Sequence, residues 1–464
     1  MHTVQTFGAR ILTSPSADAQ ARLLEVWPLT ASIDESQVDL MMGALVVFAA
    51  LALGFAAWAR GLSRLYVTAP IVFVAAGGAI AVVAGSPSPE AVLQIESVAE
   101  VTLALTLFHD AAQVRPRQIG AERGLVVRLL LVGLPLTILV GYLGARLIFP
   151  SMSVWVALLL AAALTPTDAG LGAATVLNPV VPVRIRRVLN VESGVNDGMA
   201  TPVVLFAIAA IAGDEGLAPG ASLAEAGLEL AIGVVAGAAV GAGGGLLLGW
   251  SRRRNLSSTT TRTIGVLLLP ILAYALADVI GGNAFVSAFV AGTAFAGVAA
   301  WVEAEESALE LTEMLSEPLG FAVWFVFGIA ALPLVWSVVG WAEVLFAVLS
   351  LTAFRMVPVA LALLGSGLRG PTVAFIGWFG PRGMASVVFA LIAVESLDVD
   401  GELQRAIAAI ALTVLLSVLA HGLSADVLAA RYGRWITRTA PATETSASTE
   451  PRARRSLLAR HTAR

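Results

Sequence analysis

The chain has neither cysteine nor lysine among its 464 residues. The lack of cysteine excludes disulfides, thiolate metal sites and cysteine nucleophiles, and the lack of lysine excludes Schiff-base chemistry. Charged residues are also scarce, at 13%, where a soluble domain has about 25%. Hydrophobic residues make up 58%, so most segments have no polar face to turn toward water. The composition therefore predicts an all-α protein that crosses a membrane many times.

Long apolar runs divide the chain into predicted membrane spans. A helix of about 20 apolar residues crosses the hydrocarbon core of a bilayer, and the sequence contains thirteen such runs. We expect a membrane domain over residues 40–430, a polar tail over 1–39 that has no apolar run long enough for a signal peptide, and an Arg-rich tail over 431–464. The approximate limits of the spans are 40–59, 66–84, 93–113, 124–149, 152–176, 188–212, 221–250, 262–280, 283–300, 317–337, 341–365, 371–396 and 402–430.

Arginine is distributed unevenly over the connections between these spans. Since cytoplasmic connections of membrane proteins are enriched in basic residues, the side with most arginines is predicted to be cytoplasmic. Arg146 and Arg405 are exceptions that lie on the other side. We expect the odd-numbered connections and the C-terminal tail in the cytoplasm, and the N-terminus outside the cell membrane. The odd-numbered connections hold Arg60, Arg64, Arg115, Arg117, Arg123, Arg184, Arg186, Arg187, Arg252, Arg253, Arg254, Arg262 and Arg369.

Two of the spans are interrupted halfway by polar residues. In span five, Pro166 lacks a backbone donor and disfavours a helix interior. Thr167 and Asp168 are natural N-caps for a helix that resumes at Ala169. In span twelve, the run Gly380-Pro381-Arg382-Gly383 is a matching interruption. Both helices are therefore predicted to be broken near the middle of the membrane.

The spacing of the two interruptions predicts an internal repeat. They lie seven spans apart, as expected if spans one to six (about 40–212) and eight to thirteen (about 262–430) are inverted six-helix repeats. Paired interrupted helices mark the midplane binding site of many transporters. At the crossing, Asp168 and Arg382 would place opposite charges at opposing half-helix ends and offset the helix dipoles. The alternative is a pair of incidental proline kinks.

Span six carries the polar face that best explains a binding site. Ser193 and Asp197 lie four residues apart and share one helix face with Asn196, whereas Glu192 lies about 140° from Asp197. A hydroxyl, an amide and a carboxylate are oxygen ligands that suit a hard monovalent cation. Desolvation favours the protonated form of a carboxylic acid, so such a site holds either a proton or a cation. The pattern predicts an exchanger of the two that needs no cofactor. The alternative for Asp197 is a hydrogen bond between helices.

Several motifs of the chain resemble those of one transporter family. The likeness makes the chain similar, over about residues 40–430, to the monovalent cation:proton antiporter family, which includes sodium/proton exchangers. It implies a secondary active antiporter, not an enzyme, that exchanges a monovalent cation for H+, with Na+ favoured over K+ or Li+. The motifs are Leu164-Thr165-Pro166-Thr167-Asp168, Glu192-Ser193-Gly194-Val195-Asn196-Asp197-Gly198 and Gly380-Pro381-Arg382-Gly383, with weaker likeness in 107–110 and 282–292.

The resemblance also implies roles for individual residues. Asp197 matches the residue that binds the cation and the proton in turn. Asn196 stands where charge-moving relatives carry a second carboxylate, so the Asn-Asp pair resembles the electroneutral branch, which exchanges one cation for one proton. Asp168, Thr167 and Ser193 match positions that line or coordinate the ion.

Further matches concern the surroundings of the ion. Asp110 in span three matches an acidic position that faces the same cavity. Glu192 and Arg382 match a buried ion pair that holds the core together. Arg355 in span eleven, by contrast, is expected to snorkel or to pair locally. The family also implies a homodimer and an elevator-like movement of a six-helix core.

Functions of other classes stay open at this point. A sodium-coupled symporter of an organic anion could share the broken helices, and Arg382 would then bind the substrate carboxylate. A passive channel fits less well, because one buried carboxylate gives no continuous polar pore. An intramembrane enzyme is least favoured, since the sequence shows no Ser-Lys pair, paired catalytic aspartates or zinc-ligand cluster. The choice among Na+, K+ and Li+ depends on ligand distances.

Overall fold

The computed structural model describes residues 35–64, 67–84, 89–114, 122–168, 171, 178–214, 223–303, 305–399 and 401–445, and every regular element among them is a helix. The all-α class predicted from the sequence is confirmed. The helices are α1 (Glu35–Arg64), α2 (Ala69–Ala84), α3 (Pro89–Gln113), α4 (Arg123–Arg128), α5 (Leu134–Ile148), α6 (Val154–Ala163), α7 (Val183–Asp214), α8 (Leu223–Arg253), α9 (Thr259–Val279), α10 (Ala284–Val298), α11 (Glu310–Val338), α12 (Trp341–Leu351), α13 (Ala353–Ala362), α14 (Gly370–Trp378), α15 (Met384–Ser396), α16 (Gly401–Thr439) and α17 (Ala442–Thr445).

The described helices have the length and composition of membrane spans. Eight helical segments are long and apolar enough to cross a bilayer, and four shorter apolar helices lie among them, as expected of a multi-pass membrane protein. The predicted tail residues 1–34 and 446–464 lie outside the described residues. One compact unit of the chain ends at Ala50 and a second covers Leu51–Arg464. All contacts given below lie within the second unit.

The predicted interruption of span twelve is present as a break between two helices, and the first half of span five ends close to its predicted interruption. Helix α6 ends at Ala163 and is followed by non-helical backbone over 164–168, while the expected continuation from Ala169 lies outside the described residues. Helices α14 and α15 are separated by the non-helical residues 379–383. The two breaks touch each other, because the backbone N–H of Asp168 donates to the carbonyl of Pro381 at 2.8 Å. The interrupted spans therefore cross at their breaks.

Helix packing supports the inverted repeat. Helix α2 packs on α11, and α10 packs on α3; a shift of seven spans turns the first pair into the second. Each pair has a close backbone approach at a glycine. A Cβ at Gly77 would overlap the carbonyl of Phe325, and a Cβ at Gly292 would overlap the carbonyl of Phe108. Spans four and eleven also correspond under this shift, and each is irregular, with a π-helical stretch at Leu129–Gly133 in the first and a break between α12 and α13 in the second.

Polar contacts join connections that the sequence analysis places on one side of the membrane. Glu305, after span nine, contacts Arg262 at 2.8 Å and Arg252 at 3.3 Å, which bound the connection after span seven. Arg184, after span five, donates to the carbonyl of Thr443 at the start of the C-terminal tail. The odd connections thus meet each other, as the alternation of spans requires.

The two arginines that depart from the charge pattern have local partners. Arg405 forms an ion pair of 2.7 Å with the buried carboxylate of Glu343, and its guanidinium lies over the ring of Phe149 at 5.1 Å. Arg146 donates to the carbonyl of Met152. Because both arginines are held by contacts within the protein, they weigh little against the orientation that the other arginines predict.

The close approach at Gly77 generates a stability prediction. Gly77→Leu is expected to lower the unfolding temperature in detergent, because the new side chain overlaps backbone that has no space to yield; overpacking of this kind costs about 1–3 kcal/mol. Gly54→Leu is the matched control, since nothing lies within 4 Å of a Cβ at that position. Equal unfolding temperatures for the two variants would contradict the packing.

A second prediction concerns Glu305. Burial alone would raise the pKa of this carboxyl group, but hydrogen bonds from Arg262 and Thr259 and the charges of Arg262 and Arg252 hold the pKa below its ordinary value of 4.5. A carboxylate whose pKa is lowered by folding contributes stability above its unfolded pKa and loses it as the pH falls through the folded value. The difference in unfolding temperature between wild type and Glu305→Gln should therefore shrink below about pH 4.5. A difference that stays constant on acidification would refute this account.

Candidate ion-binding site

Asp168 lies at the N-terminus of the second half of span twelve. Its Oδ2 accepts a hydrogen bond of 3.1 Å from the backbone N–H of Met384, the first residue of α15. A carboxylate at this position stabilises the positive end of the helix dipole. A Cβ at Gly383 would overlap the Asp168 side chain, so the approach of the carboxylate requires glycine there.

Arg382 makes the complementary contact with the end of the first half of span five. Its Nη1 donates to the carbonyls of Thr165 at 2.8 Å and Pro166 at 3.4 Å, and its Nη2 donates to the carbonyl of Ser350 at 3.1 Å. The guanidinium is 1% exposed. It thus caps the C-terminal end of α12 and binds the non-helical carbonyls that follow α6, groups that have no partner within a helix. The opposite charges expected at opposing half-helix ends are present.

The polar face of α7 meets the break in span five at Thr167. Ser193 donates through its hydroxyl to the carbonyl of Thr167. Asn196 uses both ends of its amide on the same residue, because Nδ2 donates to Thr167 Oγ1 at 2.6 Å and Oδ1 accepts from the Thr167 backbone N–H at 3.3 Å. Three contacts to one residue fix the unwound backbone against α7.

Asp197 follows this contact on α7 and is buried. Its side chain is 5% exposed, and its backbone carbonyl accepts a hydrogen bond of 2.7 Å from Thr201. Because it lies one helical turn beyond Ser193, its carboxylate is on the face of α7 that meets the break. The oxygen atoms that the hydrogen bonds bring together there are those of Ser193 and Asn196 and the hydroxyl and carbonyl of Thr167, and the helical spacing predicts the Asp197 carboxylate beside them.

Glu192 has a different partner from the one expected. The sequence suggests a pair between Glu192 and Arg382, but the ion pair of Glu192 is with Arg355, between Oε1 and Nη2 at 2.6 Å. Both side chains are 3% exposed, so Arg355 does not snorkel. Arg382 is occupied by backbone carbonyls instead, although the charges of Glu192 and Arg355 both act on it. The buried ionic contact therefore links span six to span eleven.

Asp110 lies on another helix, α3. It is buried on α3, a helix that contacts α7 and α10. The preceding residue, His109, forms a hydrogen bond with Gln113 one turn along the same helix. The position of Asp110 on a helix that contacts α7 is compatible with the role in the cavity that the family resemblance implies, and that role stays a prediction.

Three residues at the crossing escaped the sequence analysis. Ser386 donates to the carbonyl of Ala163 at 2.6 Å. Ser417 accepts from the backbone N–H of Arg382 at 2.7 Å, and His421 contacts the carbonyl of Trp378 at 2.9 Å. Ser417 and His421 lie four residues apart inside an apolar span, as Ser193 and Asp197 do, and that shared spacing is the signal that would have identified them.

Solved structures with the same fold exist. A structure of the sodium proton antiporter MjNhaP1 from Methanocaldococcus jannaschii aligns with this chain at a TM-score of 0.66 and 18% identity, over 85% of this chain and 99% of that one. A second structure of the same protein, from an electron-microscopy map, aligns at a TM-score of 0.62 and 16% identity, over 84% and 97% of the two chains. At these identities the likeness concerns the fold.

Relatives in sequence are also known. A Na(+)/H(+) antiporter of Schizosaccharomyces pombe is 27% identical over 317 residues, which cover 61% of this chain and 66% of the relative. A probable Na(+)/H(+) antiporter of the same organism is 26% identical over 328 residues, which cover 66% of this chain and 42% of the relative. The match thus spans less than two thirds of the length of either relative.

A family model matches most of the chain. The transmembrane model of the sodium/hydrogen exchanger matches residues 41–431, a range that contains every described residue of the two breaks and of the polar face of α7. Most of the chain is therefore accounted for by one family. The chain belongs to the sodium/hydrogen exchanger family.

Proposed function

We propose that the chain is a secondary active antiporter that exchanges a monovalent cation, Na+ in the first instance, for H+ across the cell membrane. The observation that carries this proposal is the position of Asp197, a buried carboxylate on the face of α7 that is fixed against the unwound backbone of span five. The exchange is one cation for one proton, and both bind at Asp197 without occupying it together.

The competition follows from the cost of burying a charge. A bare carboxylate within a membrane is destabilised by several kcal/mol, roughly 2.5–3.5 on insertion scales, and either a proton or a cation removes that cost. The hydroxyls of Ser193 and Thr167 and the Thr167 carbonyl supply the neutral oxygens that a dehydrated alkali ion requires. Unwound carbonyls at half-helix ends coordinate cations in other transporters. We propose that Thr167, Ser193 and Asp168 coordinate or line the cation here, with Asp110 at the approach to the site.

The neighbouring amide supports the one-for-one exchange. Asn196 has no titratable group, and both ends of its amide are bonded to Thr167. It therefore brings no second carboxylate to the site and holds the break in place. With Asp197 as the only acidic member of the Ser193-Asn196-Asp197 face, each cycle carries one positive charge in either direction.

Alternating access requires the two broken spans to move as one body. The bonds of Arg382 to Thr165 and Ser350, and the ion pair of Glu192 with Arg355, join spans five, six, eleven and twelve. In the proposed cycle, a proton from outside displaces the cation from Asp197, and the core formed by these four spans reorients. The proton then leaves to the cytoplasm before a cytoplasmic cation binds. The cycle needs no cofactor. We further propose a homodimer with its N-terminus outside and its C-terminus in the cytoplasm.

The contacts of Arg382 argue against a symporter of an organic anion. That function requires a guanidinium able to bind a substrate carboxylate. Both terminal nitrogens of Arg382 instead donate to backbone carbonyls, and the side chain is buried. A substrate could reach this group only by displacing the contacts that hold the crossing together.

The assignment of Asp197 is tested by Asp197→Asn in proteoliposomes. The variant keeps the size of the side chain but cannot exchange a proton for a cation, so cation-dependent proton movement should fall to the level of empty vesicles while the protein stays folded. Na+, K+ and Li+ are added separately, and a pH-sensitive dye reports the proton movement. Asp278→Asn, at an exposed position of α9, is the control and should transport as wild type does. Exchange retained by Asp197→Asn would exclude the proposed mechanism.

The buried ion pair between Glu192 and Arg355 is tested by a double-mutant cycle. Glu192→Gln leaves Arg355 buried without its ionic partner, a change that costs about 3–5 kcal/mol when one member of a buried pair is removed. The decrease in unfolding free energy measured for the double variant Glu192→Gln/Arg355→Gln should therefore be smaller than the sum of the decreases measured for the two single variants.

The same cycle with Arg382→Gln serves as the comparison. Since Arg382 bonds to carbonyls, its effect on the unfolding free energy should be closer to additive with that of Glu192→Gln. Strong coupling of Glu192 to Arg382, with additivity between Glu192 and Arg355, would restore the pairing that the sequence suggested.

A further inference from the structure

The break in span twelve removes several hydrogen bonds of a continuous helix, among them the one from the backbone N–H of Arg382 to the carbonyl of Trp378. Residues 379–383 are not helical. The carbonyl of Trp378 accepts instead from the backbone N–H of Gly380 at 2.8 Å and has a second lone pair. The N–H of Arg382 lies in the apolar interior and needs another acceptor, because water is not available there.

One face of α16 supplies the acceptor for the N–H of Arg382 and a second partner for the carbonyl of Trp378. The N–H of Arg382 donates to Ser417 Oγ at 2.7 Å, and Nε2 of His421 lies 2.9 Å from the carbonyl of Trp378. Ser417 and His421 are in turn bonded to each other, with 3.2 Å between Oγ and Nδ1. The two side chains therefore bridge the severed bond from a neighbouring helix.

Both ring nitrogens of His421 lie near carbonyl oxygens, Nε2 at 2.9 Å from that of Trp378 and Nδ1 at 3.0 Å from that of Ser417. A carbonyl only accepts, and a neutral imidazole has a single N–H. The tautomer with its proton on Nε2 donates to Trp378 and leaves Nδ1 to accept from the Ser417 hydroxyl, which itself accepts from Arg382. The charged groups that act on the ring are the guanidinium groups of Arg382 and Arg355.

The Trp378 side chain reinforces the position of the ring. Its indole lies against His421, with ring centroids 5.0 Å apart, and its Nε1 donates to Ser424 at 3.1 Å. Trp378, the last residue of α14, is thus joined to α16 by its backbone carbonyl, its ring and its indole N–H. His421 is 1% exposed, so bulk water does not compete for these bonds.

The N–H of Thr167 in span five is held in a corresponding way. In a continuous helix it would donate to the carbonyl of Ala163. The N–H donates instead to Asn196 on α7, and the carbonyl accepts from Ser386 on α15. Since α7 and α16 are the sixth and thirteenth spans, the repeat relates the contact of Asn196 with the Thr167 N–H to that of Ser417 with the Arg382 N–H.

We propose that His421 and Ser417 are positioning residues for transport: they hold the unwound segment 379–383 so that the Arg382 guanidinium stays on the carbonyls of span five. They act through Arg382 and do not touch the ion. The inference rests on the proposed exchange function for its transport readout. Its structural readout, the protection of backbone amides in 379–383, is independent of that function.

The test compares three variants with wild type in the full-length protein. His421→Phe keeps a ring against Trp378 but has no N–H, and Ser417→Ala removes the acceptor of the Arg382 N–H. Both are expected to lower the maximal rate of Na+-dependent proton movement about tenfold, because Ser417→Ala leaves the buried N–H of Arg382 without its acceptor and His421→Phe removes the contact that ties the Trp378 carbonyl to α16. Both should also speed hydrogen–deuterium exchange in a peptide that covers 379–383. His421→Gln presents an amide N–H in place of Nε2 and should recover most of both properties.

Thr413→Val is the matched control, since the Thr413 hydroxyl is buried on the same helix and donates only to the carbonyl of Ala409 at 2.6 Å. It should behave as wild type. The inference is overturned if His421→Phe transports normally, if His421→Gln is as impaired as His421→Phe, or if His421→Gln shifts the pH profile of transport, which would make the ring a titrating group. Should wild type show no exchange, the proposed function fails, and amide protection alone then decides whether the two residues hold the segment.

Discussion

A helix that is interrupted inside a membrane leaves N–H and C=O groups that lipid cannot satisfy, and in this chain the partners of those groups determine the arrangement of the core. Asp168 caps the start of one half-helix, and Arg382 caps the end of another. Each charge lies where the helix dipole favours it. The two interrupted spans therefore stabilise each other at the point where they cross, and neither break is expected to persist without the other.

This constraint separates two kinds of polar residue. Arg382, Arg355 and Glu192 form buried contacts that join spans, and both ends of the Asn196 amide bond to Thr167, one to its hydroxyl and one to its backbone N–H. They stabilise a core that can reorient as one body. Asp197 differs, because it adds a carboxylate to a face whose neighbouring side chains already hold the break. Its proposed role in ion exchange follows from that division between groups that hold the backbone and a group that binds the ion.

The sequence was sufficient to predict the features that depend on local chemistry. Pro166 and Pro381 within apolar runs predicted the breaks, and the distance between them predicted the repeat. The charges of Asp168 and Arg382 predicted the capping of the half-helices. Asp197 was identified because a carboxylate in an apolar span is costly. Its role in transport stays a prediction from this pattern and from the family.

Features that depend on three-dimensional packing were not accessible in the same way. Glu192 had two buried arginines as candidates, and spacing along the chain cannot show that Arg355 is the one within 2.6 Å. His421 and Ser417 bond to backbone groups that become available for these contacts only once span twelve is broken, so their importance depends on a tertiary contact. The helix end at Thr439 and the burial of Glu444 beyond it likewise depend on packing against other spans, which composition does not reveal.

The central claim is that a proton and an alkali ion compete for Asp197. The most direct measurement is proton release from purified protein in a weakly buffered solution as Na+ is added, with binding of Na+ followed in parallel. The account predicts that protons are released in step with Na+ binding, and that the concentration of Na+ needed rises as the pH is lowered. Binding of Na+ without proton release, at a concentration that does not change with pH, would contradict it.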